Sequence, residues 1–209
     1  MRGDQEGGRM NAPVATFSER RHLYQDAGVV VPSVTQILQM AGFHDPSRIP
    51  TRNRIRGAAL GTAVHHATHF LDENDLDPAT VAPQAVPYLD AYRLFKDETG
   101  FVPVAIEQQG IAEHDGLKFG YCIDRSGLYQ GELIQLELKT AATRERWWKL
   151  QTAGYADATE HEGRRAVLHL MRDRKYKLLW HDEADDFRYW RGALVVAHGL
   201  LAHGRKLPR

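Results

Sequence analysis

An α/β fold, with a central mixed sheet flanked by α-helices, is what the sequence predicts, on three observations. Helical periodicity governs residues 33–99. Short alternating or apolar runs separated by turn signals take over from residue 101. A further helical stretch then divides three strand candidates from two more. Strands that meander and then cross over through a helix build a mixed sheet with helices packed against it. The 209 residues, 43% hydrophobic and 26% charged, suit one globular domain with a sizeable core.

The elements follow in order. Residues 1–16 are polar and glycine-rich and are expected to form a disordered tail, leaving 17–209 as a single domain. RHLYQDAGVVVPSVTQIL reads as a short hairpin and then a helix, with Ser33 as N-cap and Gly42 as its stop. Residues 53–72 and 86–98 carry two more helices, completing a helical part over 33–99. FVPVAIEQQGIA, LKFGYCIDRS and ELIQLELKT are three strands joined by the turn signals EHDG and GLYQG. Residues 144–161 are helical up to Gly163. AVLHLM and YKLLWH form a second hairpin, so the sheet core spans 101–182, and a closing helix covers 185–204.

Composition excludes several classes. No apolar run is long enough for a membrane span and the start lacks a secretory h-region, so a cytoplasmic protein without membrane partners is expected. A lone cysteine, Cys122, excludes an internal disulfide and an iron–sulfur cluster held by four cysteines of one chain. Lys plus Arg equals Asp plus Glu, 27 each, so the global field attracts no polyanion and any such binding must rest on local patches.

Chemistry concentrates on the second and third strands. Alternation places Leu133, Gln135, Glu137 and Lys139 on one face of the third strand, taken as the polar one, and Ile134, Leu136 and Leu138 on the core face. Asp124 and Glu137 lie thirteen positions apart across a hairpin, a spacing that can bring two carboxylates together. Converging carboxylates repel unless a cation sits between them, and hard oxygen ligands favour Mg2+ or Mn2+. Lys139 beside them can orient a water or neutralise charge on a phosphorane, as phosphodiester hydrolysis requires. From this segment alone a surface cross-strand charge cluster accounts for the residues equally well.

Ile123-Asp124 followed by Glu137-Leu138-Lys139 resembles the PD-(D/E)xK nuclease superfamily. RGAALGTAVHH resembles the RecB-like first motif, which implies His65 as a metal ligand. LQTAGYADA resembles the QxxxY motif, which implies that Gln151 and Tyr155 face the site. The PSVT-bearing segment is similar to the entry segment of phage exonucleases and of the mitochondrial genome-maintenance exonuclease type. Together these motifs cover most of residues 20–160. Ile123 stands where the family commonly has proline.

The resemblance implies a restriction-endonuclease-like fold and a DNA nuclease, an exonuclease acting on DNA ends or single strands in phage-type recombination, replication or repair. One or two Mg2+ or Mn2+ ions would be held by His65, Asp124, Glu137 and the Leu138 carbonyl, with Lys139 orienting the attacking water. It also implies Glu107 as a supporting acid, a possible homo-oligomer and a single-strand annealing or recombination protein as partner. Ser33 and Thr35 at a helix start, Arg56 in the run Arg52, Arg54 and Arg56, and Trp147 as a stacking ring are candidate nucleic-acid contacts. For Ser33 and Thr35, plain capping is the competing reading. A catalytically degenerate DNA-binding member, a structure-specific endonuclease, and a zinc protein built on His65, His66 and His69 are the alternatives.

Overall fold

The computed structural model describes residues 16–18 and 23–208. Three short strands come first: β1 (Thr16–Ser18), β2 (Leu23–Asp26) and β3 (Val29–Val31), in the order β1-β2-β3. The expected hairpin is β2–β3. Ala27 and Gly28 turn it with φ of 48° and 81°, the left-handed pair that a two-residue loop demands. β1 adds a strand with no periodicity signal and takes Thr16 out of the expected tail; the remainder of that tail lies outside the described residues.

Tyr24 of β2 docks this small sheet on the large one. Its buried ring lies over Gly120, and a Cβ at that glycine would fall inside the ring. Gly120→Ala should therefore displace Tyr24 and lower stability by about 1–3 kcal/mol, read as a lower midpoint in chemical denaturation.

Ser33 caps α1 (Val34–Met40). Its hydroxyl accepts from the Gln36 N–H at 3.2 Å, while its own N–H donates to the Gln36 side chain at 3.0 Å, a complete capping box. α2 (Thr51–Asp72) begins two residues before the expected 53. Its first nine residues are exposed and only Val64, Ala67 and Thr68 are buried, so the helix touches the body through its second half. α3 (Val86–Thr99) buries Tyr88, Leu89, Ala91, Tyr92 and Phe95 and stops at left-handed Gly100.

The sheet consists of β4 (Val102–His114), β5 (Leu117–Tyr129), β6 (Glu132–Lys139), β7 (Arg165–Leu170) and β8 (Tyr176–Trp180), in that spatial order. β4, β5 and β6 are antiparallel. β7 runs parallel to β6 after the crossover helix α4 (Trp148–Thr159), and β8 returns antiparallel. α5 (Ala184–Ala202) closes the chain. This is the mixed sheet flanked by helices that the pattern predicts. Two boundaries differ. α4 starts four residues after 144, and it ends with Glu160 in the left-handed conformation rather than at Gly163. Gly163 instead lets the chain pass close to β6, where a Cβ would meet the Leu133 carbonyl at 2.7 Å.

A core lies on each face of the sheet. Val64, Tyr92, Phe95, Ile134, Leu136 and Leu138 share one with α2 and α3. Phe119, Ile123, Leu150, Tyr155 and Trp190 share the other with α1, α4 and α5. The expectation of a solvated polar face on β6 needs correction: Gln135 and Glu137 are both 5% exposed. The cause is topological. A parallel β6–β7 pair needs a crossover, and α4 is laid over this part of the sheet.

Candidate active site

The β5–β6 ladder ends at Arg125 opposite Leu136. At the next position Asp124 leaves the ladder pattern, and its Oδ2 accepts from the Leu138 N–H at 2.7 Å. A buried carboxylate thus fills the gap where the two strands part. His65, on the second half of α2, puts Nδ1 3.2 Å from Asp124 Oδ1. Glu137, on β6, accepts from Lys139 Nζ at 2.7 Å through Oε1, while its Oε2 is buried with no hydrogen-bond partner among the described residues. Lys139 Nζ also stands 5.3 Å from the Trp147 ring, which stacks on His44 at 4.3 Å.

The electrostatics divide the two carboxylates. Burial opposes ionisation of Asp124, but the His65 charge and hydrogen bond, followed by Lys139 and the Leu138 N–H, hold it at about 2. Burial and then the Asp124 charge push Glu137 up to about 8, and Lys139 and His65 only partly oppose this. Glu137 is therefore held well above the usual carboxylate range despite the ammonium 2.7 Å away, because desolvation and the like charge together outweigh one half-buried cation. Burial works against a charged His65, yet Asp124 outweighs it and the imidazole is raised above its ordinary value. Cys122 is pushed up to about 12, first by burial and then by Asp124, Glu137 and Glu107, and so is an inert thiol.

Two carboxylates are hard oxygen donors suited to Mg2+ or Mn2+, the imidazole beside them is a borderline donor, and Glu137 Oε2 is a buried polar atom without a partner among the described residues. As the side chains stand, however, no three His, Cys, Asp or Glu among the described residues are grouped to hold an ion. Asp124 is taken up by His65, and Glu137 by Lys139. A cation would have to displace these contacts and the Glu137 proton.

The other sequence-derived residues sort themselves around this centre. Gln151 is 3% exposed, and its amide donates to the Tyr155 hydroxyl at 2.7 Å and to Thr35 Oγ1 at 3.4 Å. It does not bond a carboxylate, and its Oε1 is left buried without a partner among the described residues. Tyr155 does face the acids: burial and then Glu137 and Asp124 raise its hydroxyl well above normal. Ser33 is committed to capping. Arg52, Arg54 and Arg56 are exposed on the free half of α2. Trp147 is half-buried at Lys139, while Trp148 belongs to the core.

Helix phase separates the histidines. His65 meets Asp124, His66 faces solvent, and His69 lies 3.2 Å from Glu73 and 3.6 Å from Glu107. Glu107 lies on β4 between Ile106 and Gln108, which pair with Arg125 and Ile123, so it sits level with Asp124. Its φ of 50° is unusual for a non-glycine residue inside a strand and stores about 1–3 kcal/mol of strain beside the site. Sequence reasoning missed Arg125. Its neighbour in sequence is Asp124, but its partner is Asp72, 53 residues away, and no local pattern announces that.

No family model matches the chain, and no curated protein matches it. Among solved structures, a candidate exonuclease from Eubacterium rectale is similar with a TM-score of 0.49 and 11% identity, over 86% of this chain and 90% of that one. The protein SSO0001 is similar with a TM-score of 0.42 and 13% identity, over 86% of this chain and 79% of that one.

Proposed function

We propose that this chain is a divalent-metal-dependent DNA nuclease of the PD-(D/E)xK type, an exonuclease acting on ends or single strands. The observation that carries this reading is a pair of contacts on neighbouring strands, His65 of α2 with Asp124 of β5 and Lys139 with Glu137 of β6, linked by the bond from the Leu138 N–H to Asp124, with Glu137 Oε2 buried and without a partner among the described residues. The motif order read from the sequence supports the same conclusion.

His65, Asp124, Glu137 and the Leu138 carbonyl would hold one or two Mg2+ or Mn2+ ions. When bound, the cation supplies Lewis acidity toward the scissile phosphate and makes a nearby water more acidic. The chain does the rest. Asp124, anchored on the Leu138 N–H, fixes the spacing between β5 and β6. Lys139, released from Glu137, orients the attacking water and neutralises charge that builds on phosphorus oxygens. Water oxygen bonds to phosphorus, the bond to the 3′-oxygen breaks, and that oxygen takes a proton, leaving a 5′-phosphate and a 3′-hydroxyl. Arg52, Arg54 and Arg56 project from the free half of α2 and would meet backbone phosphates. Trp147, beside Lys139, offers a ring to an unpaired base. Assembly into a homo-oligomer and work beside an annealing protein belong to the same reading and rest on the motif resemblance alone.

End-labelled linear single- and double-stranded DNA, incubated with and without Mg2+, tests the proposal. The wild type should shorten the labelled strand only with metal, and Lys139→Ala should reduce this at least about 100-fold. One observation favours a second reading, a DNA-binding protein that does not cut: both carboxylates already have cationic partners. Tight DNA binding with no metal-dependent cutting by either protein would select it.

A further inference from the structure

One guanidinium ties the main chains of Asp124 and His65 together. Arg125 is fully buried. Its Nη1 donates to the Asp124 carbonyl at 2.6 Å, and its Nη2 donates to Thr68 Oγ1 at 3.2 Å. Thr68 in turn donates that hydroxyl to the His65 carbonyl at 3.0 Å. The third arm, Nε, donates to Asp72 Oδ2 at 2.6 Å, at the last residue of α2. Asp72 is itself fixed by the Tyr92 hydroxyl and by Lys96 Nζ, each at 2.6 Å. The fork's planar geometry thus joins β5 to two points on α2, and Asp72 carries the network on to α3.

α2 needs such a fixture. Its first nine residues are free, and Val64, Ala67 and Thr68 are its buried residues. Apolar contacts of this kind are non-directional and tolerate a small slide or roll of the helix. A slide would carry His65 away from Asp124. Charged hydrogen bonds at fixed angles do not tolerate it.

We infer that Arg125 is a positioning residue, which through Thr68 and Asp72 sets α2 on β5 so that His65 faces Asp124. This rests on the metal-site reading only where it predicts metal affinity; the setting of His65 itself is a property of the metal-free protein. Two variants test it. Arg125→Lys keeps the charge and loses the fork. Thr68→Val is isosteric and removes only the hydroxyl between Arg125 and the His65 carbonyl.

Both are compared with wild type by the ring resonances of His65 in the metal-free protein and by Mn2+ titration. Both variants should displace the His65 ring signals while leaving those of exposed His66 in place, and should weaken Mn2+ binding about 10- to 100-fold, as loss of a ligand's supporting bonds does. Folded variants with wild-type His65 signals overturn the inference. Should Arg125→Lys fail to fold, Thr68→Val decides alone. Should wild type bind no Mn2+, the metal reading falls, while the His65 signals still decide the role of Arg125.

Discussion

Asp124→Asn should lower metal-dependent hydrolysis by about 1,000-fold or more in a protein that still folds. The amide oxygen can keep the Leu138 N–H bond that Oδ2 makes at 2.7 Å, so the gap between β5 and β6 remains filled. The lost charge matters in two places. It is what holds His65 above its ordinary value, and it raises Glu137 through repulsion. The variant should therefore leave Glu137 easier to ionise and His65 easier to deprotonate, yet remove the anionic anchor a divalent cation needs. DNA retention on filters should stay within a few-fold of wild type, because arginines and Trp147 lie outside this change. A variant cutting within tenfold of wild type would remove Asp124 from the chemistry. Loss of DNA binding together with cutting would point to a structural collapse, which circular dichroism would register.

Much of this centre was legible because chemistry and periodicity coincide there. Strand alternation and the thirteen-residue spacing bring Asp124 and Glu137 to adjacent strands, while His65 rather than His66 was singled out by the motif resemblance and its contact with Asp124 is seen only in the fold. The rest was hidden for physical reasons. Alternation says that Gln135 and Glu137 share a face, but not whether that face meets water; the crossover helix α4 decides this, and only the tertiary fold places it. Residues 144–147 keep a helical composition, yet 144 and 145 are irregular and 146 and 147 form a turn before α4 starts at Trp148. The resemblance implies that Gln151 faces the site, but not that its amide bonds the Tyr155 hydroxyl and Thr35, the latter from a helix 116 residues earlier. Arg125 reads as an ordinary strand residue until Asp72 is brought to it. Local pattern fixes elements; pairing across long sequence separations fixes what a buried charge is for.

Glu137→Gln should stabilise the metal-free protein increasingly as pH rises from about 5 to 8, while abolishing any stabilisation by Mg2+. Glu137 is raised from 4.5 to about 8 in the folded state, so between those values the native protein holds a proton that the unfolded chain has released. Stability then falls as pH rises through this window. The contribution is complete below 4.5 and gone above 8. The loss accumulates across the whole window rather than at one pH. Asp124, lowered to about 2, acts in the other direction and in another window, losing its contribution only as pH falls through 2 to 4. His181, lowered to about 4 chiefly by burial, also costs stability as pH falls, through 6.5 to 4. Raised His65 loses its contribution as pH rises, in the same sense as Glu137. The wild-type curve is therefore a sum, and the difference between wild type and Glu137→Gln reports Glu137 together with its coupling to His65 and Asp124. Denaturant midpoints at pH 5, 6, 7 and 8 supply that difference. In wild type, Mg2+ should raise the midpoint most at pH 8, where losing the proton costs least, and in the variant at no pH. A difference that stays flat from pH 5 to 8 would show that Glu137 is ionised throughout, held by Lys139, and that this site carries no unrelieved charge for a cation to relieve.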